Sequence, residues 1–503
     1  MEAFDGLLHG LAVASTPTNL LFVFVGVLLG TVIGVLPGLG PTATIALLLP
    51  ITYTMEPTTA IIMLAGVYYG SMYGGTITSV LLNLPGESAS VVTTFDGYQM
   101  ARQGRAGPAL GIAAIGSFIG GLVATIGLIW LSPVLAEVAV TFGPPEFAAV
   151  GILGILLVSS LGMESSLKAV VAALAGLFLA TAGQDPITGG SRFTYDSIQL
   201  LDGLDLVAIV MGLFGIGEVL YNLEKRDEAK PISKPGIRDV MPSKQDFRQS
   251  GWPIARGSVI GFGLGVLPGG GGIVSSLTSY ATEKRIAKDP TRLGKGAIEG
   301  VAGPETANNA GATSAFIPLL TLGIPSNVVL ALIFGALLVH GITPGPQLVS
   351  QHPEIFWGVI ASMLIGNVML LILNLPLVGL FIQILRVPMK LLAPIIVFIT
   401  LVGVYSVNFS VFDMFVALSF GVIGYLMRKT GFDAGPLVLA FVLGDIVERA
   451  VRQSLLISDG SLAIFIARPI SGGLLAVAAF VLFGSIIRAV RARKHQACMS
   501  AVN

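Results

Sequence analysis

Cysteine and charged residues are scarce in this chain. Of its 503 residues one is cysteine, Cys498, and only 11% are charged, with 28 basic side chains balancing 28 acidic ones. A single cysteine excludes a disulfide within one chain and argues against a cysteine-based metal site, so we expect no transition-metal site. Because a nucleic-acid partner requires a concentrated basic surface, a net charge of zero argues against one.

Signatures of catalysis and of nucleotide binding are also missing from the sequence. No Ser/His/Asp arrangement and no metal-ligand spacing can be read in it. The glycine run 269–272 lacks the Gly-Lys-Ser/Thr ending of a phosphate-binding loop. We therefore expect a protein that is not an enzyme, that needs no cofactor, and for which ATP is not the direct energy source.

Hydrophobic residues dominate the composition. They make up 54% of the chain, and the mean hydropathy is +0.86. Stretches such as 110–131 and 464–487 stay apolar over roughly the 20 residues that a spanning helix needs, whereas barrel strands alternate apolar and polar residues. This pattern predicts an all-α polytopic membrane protein embedded in a lipid bilayer. The first 17 residues contain no lysine or arginine, so we expect no cleaved signal peptide.

A glycine-rich signature occurs twice in the chain. Residues 26–40 read GVLLGTVIGVLPGLG, and residues 257–271 read GSVIGFGLGVLPGGG. The glycines spaced by four, such as Gly26, Gly30 and Gly34, are predicted to pack helices closely, as small residues do in membranes. The Pro-Gly end of each copy predicts a helix break. Duplicated breaks at membrane depth are typical of secondary transporters, whose discontinuous helices line the substrate site.

The apolar segments divide the chain into two similar halves. Seven precede a charged stretch, seven follow it, and one unpaired segment closes the chain. We predict a first transmembrane repeat (1–222), a cytoplasmic connector (223–250), a second transmembrane repeat (251–450), and an extra C-terminal helix with a basic tail (451–503). Because basic clusters mark the cytoplasmic side, the C-terminus is expected in the cytoplasm. An odd number of crossings in each half then makes the repeats inverted in topology.

A second pair of breaks follows the first in each half. Leu81 to Leu84, followed by Pro85, aligns with Leu319 to Leu322, followed by Gly323-Ile324-Pro325. Each is predicted to be the tip of a re-entrant hairpin. Irregular backbone cannot face lipid, so all four breaks are expected to face protein or a water-filled cavity.

The four breaks together predict a substrate site. Proline removes a backbone donor and glycine permits open conformations, so carbonyls before a break and amides after it become free to bind ions or anions. Neighbouring hydroxyl groups add further ligands. The predicted substrate-binding residues, all at or beside the breaks, are Gly38, Gly40, Pro41, Thr42, Thr76, Thr78, Asn83, Pro85, Gly86, Glu87, Ser88, Gly270, Gly271, Gly272, Ser275, Pro325, Ser326 and Asn327.

Polar residues on the second-half hairpin predict a site for a coupling cation. Two adjacent asparagines in a small-residue segment are costly to bury without partners, which favours coordination of Na⁺ or substrate over packing. The predicted cation-coupling residues are Glu305, Asn308, Asn309, Thr313 and Thr321. Two readings of Glu87 stay open: an ionisable residue within the membrane is functional by default, but a carboxylate near a helix start is also an ordinary cap.

Five long stretches, 34–50, 68–117, 268–285, 294–326 and 340–348, closely resemble the large membrane subunit of the tripartite tricarboxylate transporters. The likeness covers nearly the whole chain. One departure is Thr306, where the family motif is expected to read alanine more often; it adds a hydroxyl group beside the asparagine pair.

The resemblance implies a permease of the bacterial cytoplasmic (inner) membrane. Such a permease works with a small membrane subunit and a periplasmic solute-binding protein, which captures a carboxylate such as citrate. The large subunit then imports that carboxylate with Na⁺ or H⁺ as the coupling ion, and we expect an elevator-type movement of the hairpin tips. The alternatives are a carboxylate-permeable channel and a membrane scaffold that does not transport.

Overall fold

The computed structural model describes residues 2–36, 40–160, 166–185, 187–224, 240–267, 271–384 and 389–482, and these are almost entirely helical. The helices of the first half are α1 (Glu2–Ala14), α2 (Pro17–Val35), α3 (Pro41–Thr52), α4 (Pro57–Leu82), α5 (Val91–Arg102), α6 (Ala106–Val140), α7 (Pro144–Ser160), α8 (Ser166–Ala180), α9 (Leu206–Val210) and α10 (Gly217–Glu224). Short 3₁₀ turns lie at Ser88–Ser90 and Ile198–Leu200, and a π turn at Met211–Ile216 joins α9 to α10.

The second half is also helical. Its helices are α11 (Lys244–Gly265), α12 (Gly271–Ile286), α13 (Glu299–Ser314), α14 (Phe316–Leu322), α15 (Val328–Val339), α16 (Leu348–Gln351), α17 (Pro353–Ile384), α18 (Met389–Asn408), α19 (Val411–Lys429), α20 (Gly435–Ile457), α21 (Ile464–Ala467) and α22 (Pro469–Leu482). A 3₁₀ turn at Pro290–Arg292 precedes α13.

Seven helices in these ranges are long and apolar enough to cross a membrane. They are Pro17–Val35, Pro57–Leu82, Ala106–Val140, Leu206–Glu224, Pro353–Leu377, Leu391–Asn408 and Val411–Lys429. The β structure of the described residues is one antiparallel pair of two-residue strands, β1 (Gly183–Gln184) and β2 (Ser191–Arg192). The chain is therefore an all-α polytopic membrane protein, as the sequence predicts. The inverted orientation of the two repeats stays a prediction.

Glycines spaced by four pack α2 directly against α4. A Cβ atom added at Gly26, Gly30 or Gly34 would overlap a backbone carbonyl oxygen of α4, at Met63, Val67 and Ser71 in turn. Because neighbouring α-helices present equivalent positions every four residues, these glycines let the two backbones touch along one continuous line. This contact confirms the packing role that their spacing predicts.

The second half repeats this contact between α11 and α13. A Cβ atom at Gly257, Gly261 or Gly265 would overlap the carbonyl oxygen of a residue on α13, at Gly303, Ala307 and Gly311 in turn. α4 and α13 are correspondingly the most buried helices of their halves, with every residue of α13 from Gly300 to Ser314 buried. Each half thus holds its most buried long helix against a glycine-faced neighbour.

Helices are interrupted at all four predicted breaks. α2 ends at Val35 and α3 begins at Pro41, while α11 ends at Gly265 and α12 begins at Gly271. The residues 37–39 and 268–270 between them lie outside the described ranges. At the other two breaks, α4 ends at Leu82 and α14 at Leu322.

The charged stretch 223–250 is only partly described. Residues 225–239 lie outside the described ranges, and α11 already begins at Lys244. Ser243 caps this helix, and its side chain and that of Asp246 bond reciprocally to each other's backbone amides. Asp246 also pairs with Arg105. The last residues of the predicted connector are therefore the first turns of a helix, and the basic tail after residue 482 is not described.

The helices form two compact units, and each unit draws on both halves of the sequence. The first comprises Met1–Val140 and Val207–Tyr425, and the second comprises Thr141–Leu206 and Leu426–Asn503. This division differs from the four consecutive regions predicted from the sequence, whose boundaries stay predictions. In the second unit, α7 and α8 pack against α20. There Arg452 joins Asp185, at 2.7 Å, to Glu448, at 3.0 Å.

Candidate functional site

Two turns of matching conformation stand at the second pair of breaks. Turn 1 runs from Asn83 to Glu87 and turn 2 from Gly323 to Asn327. Each begins with a left-handed residue that ends a helix, Asn83 with φ 58° and Gly323 with φ 70°. Each ends with an extended residue whose side chain caps the next helical segment. The structure thus pairs Asn83 with Gly323, and the sequence alignment of Leu81 to Leu84 with Leu319 to Leu322 is two residues out of register.

Turn 1 packs closely against the helices around it. Gly86 lies against the Gly34 carbonyl oxygen, where a Cβ atom would overlap that oxygen and would come within 2.6 Å of Thr78 Oγ1. Glu87 Oε2 accepts a hydrogen bond from the Ala89 amide at 2.9 Å, while Ser90 closes the capping box. Turn 1 is therefore held at the end of α2, where the first glycine signature breaks off.

Turn 2 is held by the same kind of cap with an amide in place of the acid. Asn327 Oδ1 accepts a hydrogen bond from the Leu330 amide at 3.0 Å, and its Nδ2 donates to the Tyr68 hydroxyl at 3.0 Å. A Cβ atom on Gly271, the first residue of α12, would lie 3.9 Å from the same Nδ2. Asn327 thus brings turn 2 close to α4 and to the start of α12.

Glu305, on α13, is buried within the first compact unit. Its Oε2 accepts a hydrogen bond from Thr76 Oγ1 at 2.8 Å, and its Oε1 accepts one from Thr93 Oγ1 on α5. Glu305 is 1% exposed, although an ionised carboxylate is costly to bury. Both of its partners are neutral hydroxyl groups from the first half of the chain.

Asn309 extends this network to α6. Its Nδ2 donates to Ser117 Oγ at 2.7 Å and to the Glu305 carbonyl oxygen at 3.2 Å. The side chain therefore ties the backbone of α13 to α6 next to the buried carboxylate.

Asn308 connects α13 to turn 1. Its Nδ2 donates to Glu87 Oε1 at 3.2 Å. Its Oδ1 is buried, has no hydrogen-bond partner among the described residues, and lies over Gly272, where a Cβ atom would overlap it. A bound ion, water or ligand group would satisfy this buried acceptor.

The start of α12 completes this side of the site. Gly271 has φ 34°, a value that favours glycine, and its carbonyl oxygen accepts from Ser275 Oγ at 2.7 Å. Ser276 Oγ donates to the Ala89 carbonyl oxygen at 3.0 Å. The second glycine break thus meets the 3₁₀ turn that follows Glu87.

The electrostatic character of the site is negative. Glu87 and Glu305 are both buried, and no lysine, arginine or histidine in the described part of the chain forms a salt bridge with either. A buried carboxylate without a cationic partner is strongly destabilised unless it is protonated or binds a cation. The two acids offer oxygen ligands of the kind that a small cation binds, and both lie in the first compact unit.

The pattern of this chain matches a known family along most of its length. The model of the "Tripartite tricarboxylate transporter TctA family" matches residues 20–439. The chain belongs to this family. TctA-family proteins are components of tripartite tricarboxylate transporters, and the family points to a transporter subunit rather than an enzyme.

Two similar proteins come from Agrobacterium vitis. One, described as "Uncharacterized 52.8 kDa protein in TAR-I ttuC' 3'region", is 48% identical over 496 residues, which cover 99% of each chain. The other, "Uncharacterized protein in TAR-II ttuC' 3'region", is 46% identical over 233 residues, 46% of this chain and 96% of that protein. No solved structure matches this TctA-family chain significantly.

The structure of this TctA-family subunit brings about half of the predicted site residues together. The residues with contacts that join the breaks are Thr76, Gly86, Glu87, Gly271, Gly272, Ser275, Glu305, Asn308, Asn309 and Asn327. Asn83 and Pro85 in turn 1, and Ser88 just after it, are exposed. Their roles in binding stay predictions.

Other predicted residues make only local hydrogen bonds or lie apart. Three hydroxyl groups bond to a nearby backbone carbonyl oxygen: Thr78 to Gly75, Thr321 to Ile317 and Ser326 to Ala315. The hydrogen bonds of the described residues do not join Gly40, Pro41, Thr42, Thr313 or Pro325 to the carboxylates. Gly38 and Gly270 lie outside the described residues, so their predicted roles are not addressed by the structure.

Three residues that the sequence reading did not single out belong to the site. Tyr68, Thr93 and Ser117 bond Asn327, Glu305 and Asn309 respectively. All three lie within the stretch 68–117 that resembles the family. The only sign of these residues in the sequence is a hydroxyl group on an apolar helix. A hydroxyl group that bonds the backbone of its own helix gives the same sequence pattern, so the two cases cannot be told apart.

Proposed function

We propose that this subunit imports a di- or tricarboxylate together with a cation, Na⁺ or H⁺, and receives the substrate from a periplasmic solute-binding protein. The observation that carries the proposal is the pair of buried carboxylates, Glu87 and Glu305, whose partners are neutral side chains and backbone amides. Family membership supports the carboxylate class. A small membrane subunit would complete the transporter in the bacterial inner membrane, with the C-terminus of this chain in the cytoplasm.

The chemistry of the site favours a coupling cation. Two ionised carboxylates in one buried region repel each other, which raises the free energy of the site without a cation. A bound cation or a proton lowers that free energy. Oxygen atoms suited to Na⁺ surround them: the hydroxyl groups of Thr76 and Thr93 and the unpaired Oδ1 of Asn308. We therefore favour Na⁺, and a proton on Glu305 or Glu87 is the alternative that the experiment must separate.

The substrate anion is proposed to bind at the helix starts beside this cation. Helices begin at Gly271 and after Asn327, and helix starts attract anions. A cation bound first would also remove the repulsion between Glu87 and an incoming carboxylate. Coupling then follows because the anion is bound well only when the cation is present.

An elevator-type movement is proposed for alternating access. All residues of the candidate site belong to the first compact unit. An elevator mechanism moves the complete binding site as one rigid body, so all residues of the site must belong to the same unit. Movement of turns 1 and 2 would open the site to one side of the membrane at a time.

The proposal is tested by uptake into proteoliposomes that contain both membrane subunits, with the binding protein outside. Thermal-shift screening of the binding protein against a panel of carboxylates identifies the substrate. Imposed Na⁺ and pH gradients are then varied separately. Saturable uptake that needs one gradient and the binding protein supports the proposal, whereas uptake that is independent of both gradients indicates a channel, and its absence indicates a scaffold.

Substitutions connect this activity to the site. Asn308→Leu and Asn309→Leu are expected to abolish uptake without preventing membrane insertion, because each removes an oxygen or amide group beside a buried carboxylate. Asn374→Leu is the matched control for Asn308: Asn374 is likewise 1% exposed with an unpaired Oδ1, but its Nδ2 donates to the Leu370 carbonyl oxygen of its own helix and not to a carboxylate. Normal transport by both site variants contradicts the cation-site proposal.

A further inference from the structure

Asp96, on α5, is a buried carboxylate that the proposed transport cycle does not use. Its oxygens accept hydrogen bonds from three backbone amides, those of Gly294 at 2.9 Å, Gly296 at 2.8 Å and Ala297 at 2.8 Å. The Tyr280 hydroxyl donates a fourth, at 2.9 Å. All four donors belong to the second half of the chain, in α12 and in the segment that leads into α13.

The backbone of this segment is shaped to receive the Asp96 carboxylate. Gly294 has φ 88° and Gly296 has φ 99°, left-handed values that turn successive amides towards one acceptor. At Gly300 a Cβ atom would overlap Asp96 Oδ2. Gln103, the C-cap residue of α5, donates to the Lys295 carbonyl oxygen at 2.8 Å. Segment 294–300 therefore contacts α5 and its C-cap through the buried Asp96 carboxylate and the exposed side-chain amide of Gln103.

Asp96 and Thr93 lie one turn apart on α5 and therefore share a face of the helix. Thr93 bonds Glu305, six residues into α13, and Asp96 bonds the segment just before α13 begins. The two contacts fix α5 against α13 at two points. The position of the Thr93 hydroxyl group relative to Glu305 consequently depends on the contact of Asp96.

We propose that Asp96 is a positioning residue for the coupling-cation site: it holds α5 in the register that places Thr93 on Glu305. Hydrogen bonds to an ionised carboxylate are stronger and more directional than those to a neutral group, so an acid suits this task. The inference rests on the proposed function, because it assumes that Glu305 and Thr93 take part in binding the coupling cation.

The test uses Asp96→Asn and Thr93→Val, alone and combined, in the complete transporter. Asparagine keeps the size of the side chain but replaces one acceptor with a donor that faces the Gly294 amide. We expect Asp96→Asn to raise the concentration of the driving cation that gives half-maximal uptake by about tenfold, a factor that corresponds to ~1.4 kcal/mol. The KM for the carboxylate at saturating cation should change less than twofold. In the Thr93→Val background, Asp96→Asn should raise the half-saturating cation concentration almost no further.

Asp246→Asn is the control for loss of a buried acid in the same compact unit, since the Asp246 carboxylate bonds Ser243 at the start of α11 and Arg105. It should lower thermal stability and leave the cation dependence unchanged. An unchanged half-saturating cation concentration in Asp96→Asn, or additive effects of the two substitutions, refutes the positioning role alone. If wild-type uptake responds to neither cation gradient, the proposed function is refuted, and the positioning role of Asp96 is refuted with it.

Discussion

Gly272→Ala is predicted to impair transport although it adds only one methyl group. Gly272 lies in the first turn of α12, and an added Cβ atom would come closer than 3.0 Å to Asn308 Oδ1 and to 3.2 Å from the Ala89 Cβ. Real Cβ atoms essentially never approach another atom so closely. Either the Asn308 amide or the start of α12 must therefore move.

The structure sets the size of the effect. The bond from Asn308 Nδ2 to Glu87 Oε1 measures 3.2 Å, and an additional displacement of about 0.4 Å takes it to 3.6 Å, where it is no longer a hydrogen bond. A hydrogen bond to a charged group contributes about 1.5–3 kcal/mol. If that contribution supports the transporting state, uptake at subsaturating cation should fall roughly tenfold to 150-fold.

Gly263→Ala is the matched control for this substitution. Gly263 lies in α11, and an added Cβ atom there would meet nothing within 4 Å. Alanine is favoured over glycine within a helix by about 0.5–1 kcal/mol, so both variants gain helix propensity. Uptake in proteoliposomes is compared after size-exclusion chromatography and thermal unfolding establish equal amounts of folded protein. Wild-type uptake and cation dependence in Gly272→Ala would refute the assignment of Asn308 and Glu87 to one site.

Two further predictions concern packing and pH-dependent stability. Gly261→Val should sharply reduce the yield of monodisperse protein, because its Cβ would overlap the Ala307 carbonyl oxygen at the contact of α11 with α13; an undiminished yield relative to Gly263→Ala contradicts the packing role. Arg452→Ala should lower the Tm at neutral pH, since the Thr188 amide and the Arg452 guanidinium hold the pKa of Asp185 well below its usual value. The folded state gains this stability when Asp185 is ionised, so the difference in Tm from wild type should shrink as the pH falls below about 4 and Asp185 takes up a proton. A difference that persists unchanged at lower pH argues against the contact with Asp185.

The sequence predicts those features that depend on short-range patterns. Glycines at i and i+4 determine helix contact through a spacing that is visible in the chain, and Gly26, Gly30 and Gly34 pack as predicted. The four breaks follow from proline and glycine, which interrupt helices by local geometry. Hydropathy over a window of helix length predicts the all-α membrane fold for a similar reason.

The contacts of the site depend on long-range pairing, which short-range patterns do not encode. Glu305 is recognisable as an unusual acid, but nothing near it in the sequence indicates that Thr76 and Thr93 are its partners. Asp96 gives a similar example: the acid follows Thr93 by three residues, while the glycines that receive it lie in the other half of the chain. The two-residue error in aligning the turns has the same origin. Apolar residues of the two segments can be aligned in several registers, whereas the left-handed residues Asn83 and Gly323 align in only one.

Turns 1 and 2 also differ in a way that bears on mechanism. Both end in an N-capping side chain of similar backbone conformation, but the cap is an acid in turn 1 and an amide in turn 2. Capping alone needs only an acceptor oxygen, which asparagine and glutamate both provide, so it does not explain a charge buried at one turn and absent from the other. Under the proposed function the difference has a direct use: a cation is favoured beside Glu87, and a substrate carboxylate meets no fixed negative charge at Asn327. Turns 1 and 2 then have similar backbone conformations, and the difference between Glu87 and Asn327 gives the two turns opposite preferences for charge.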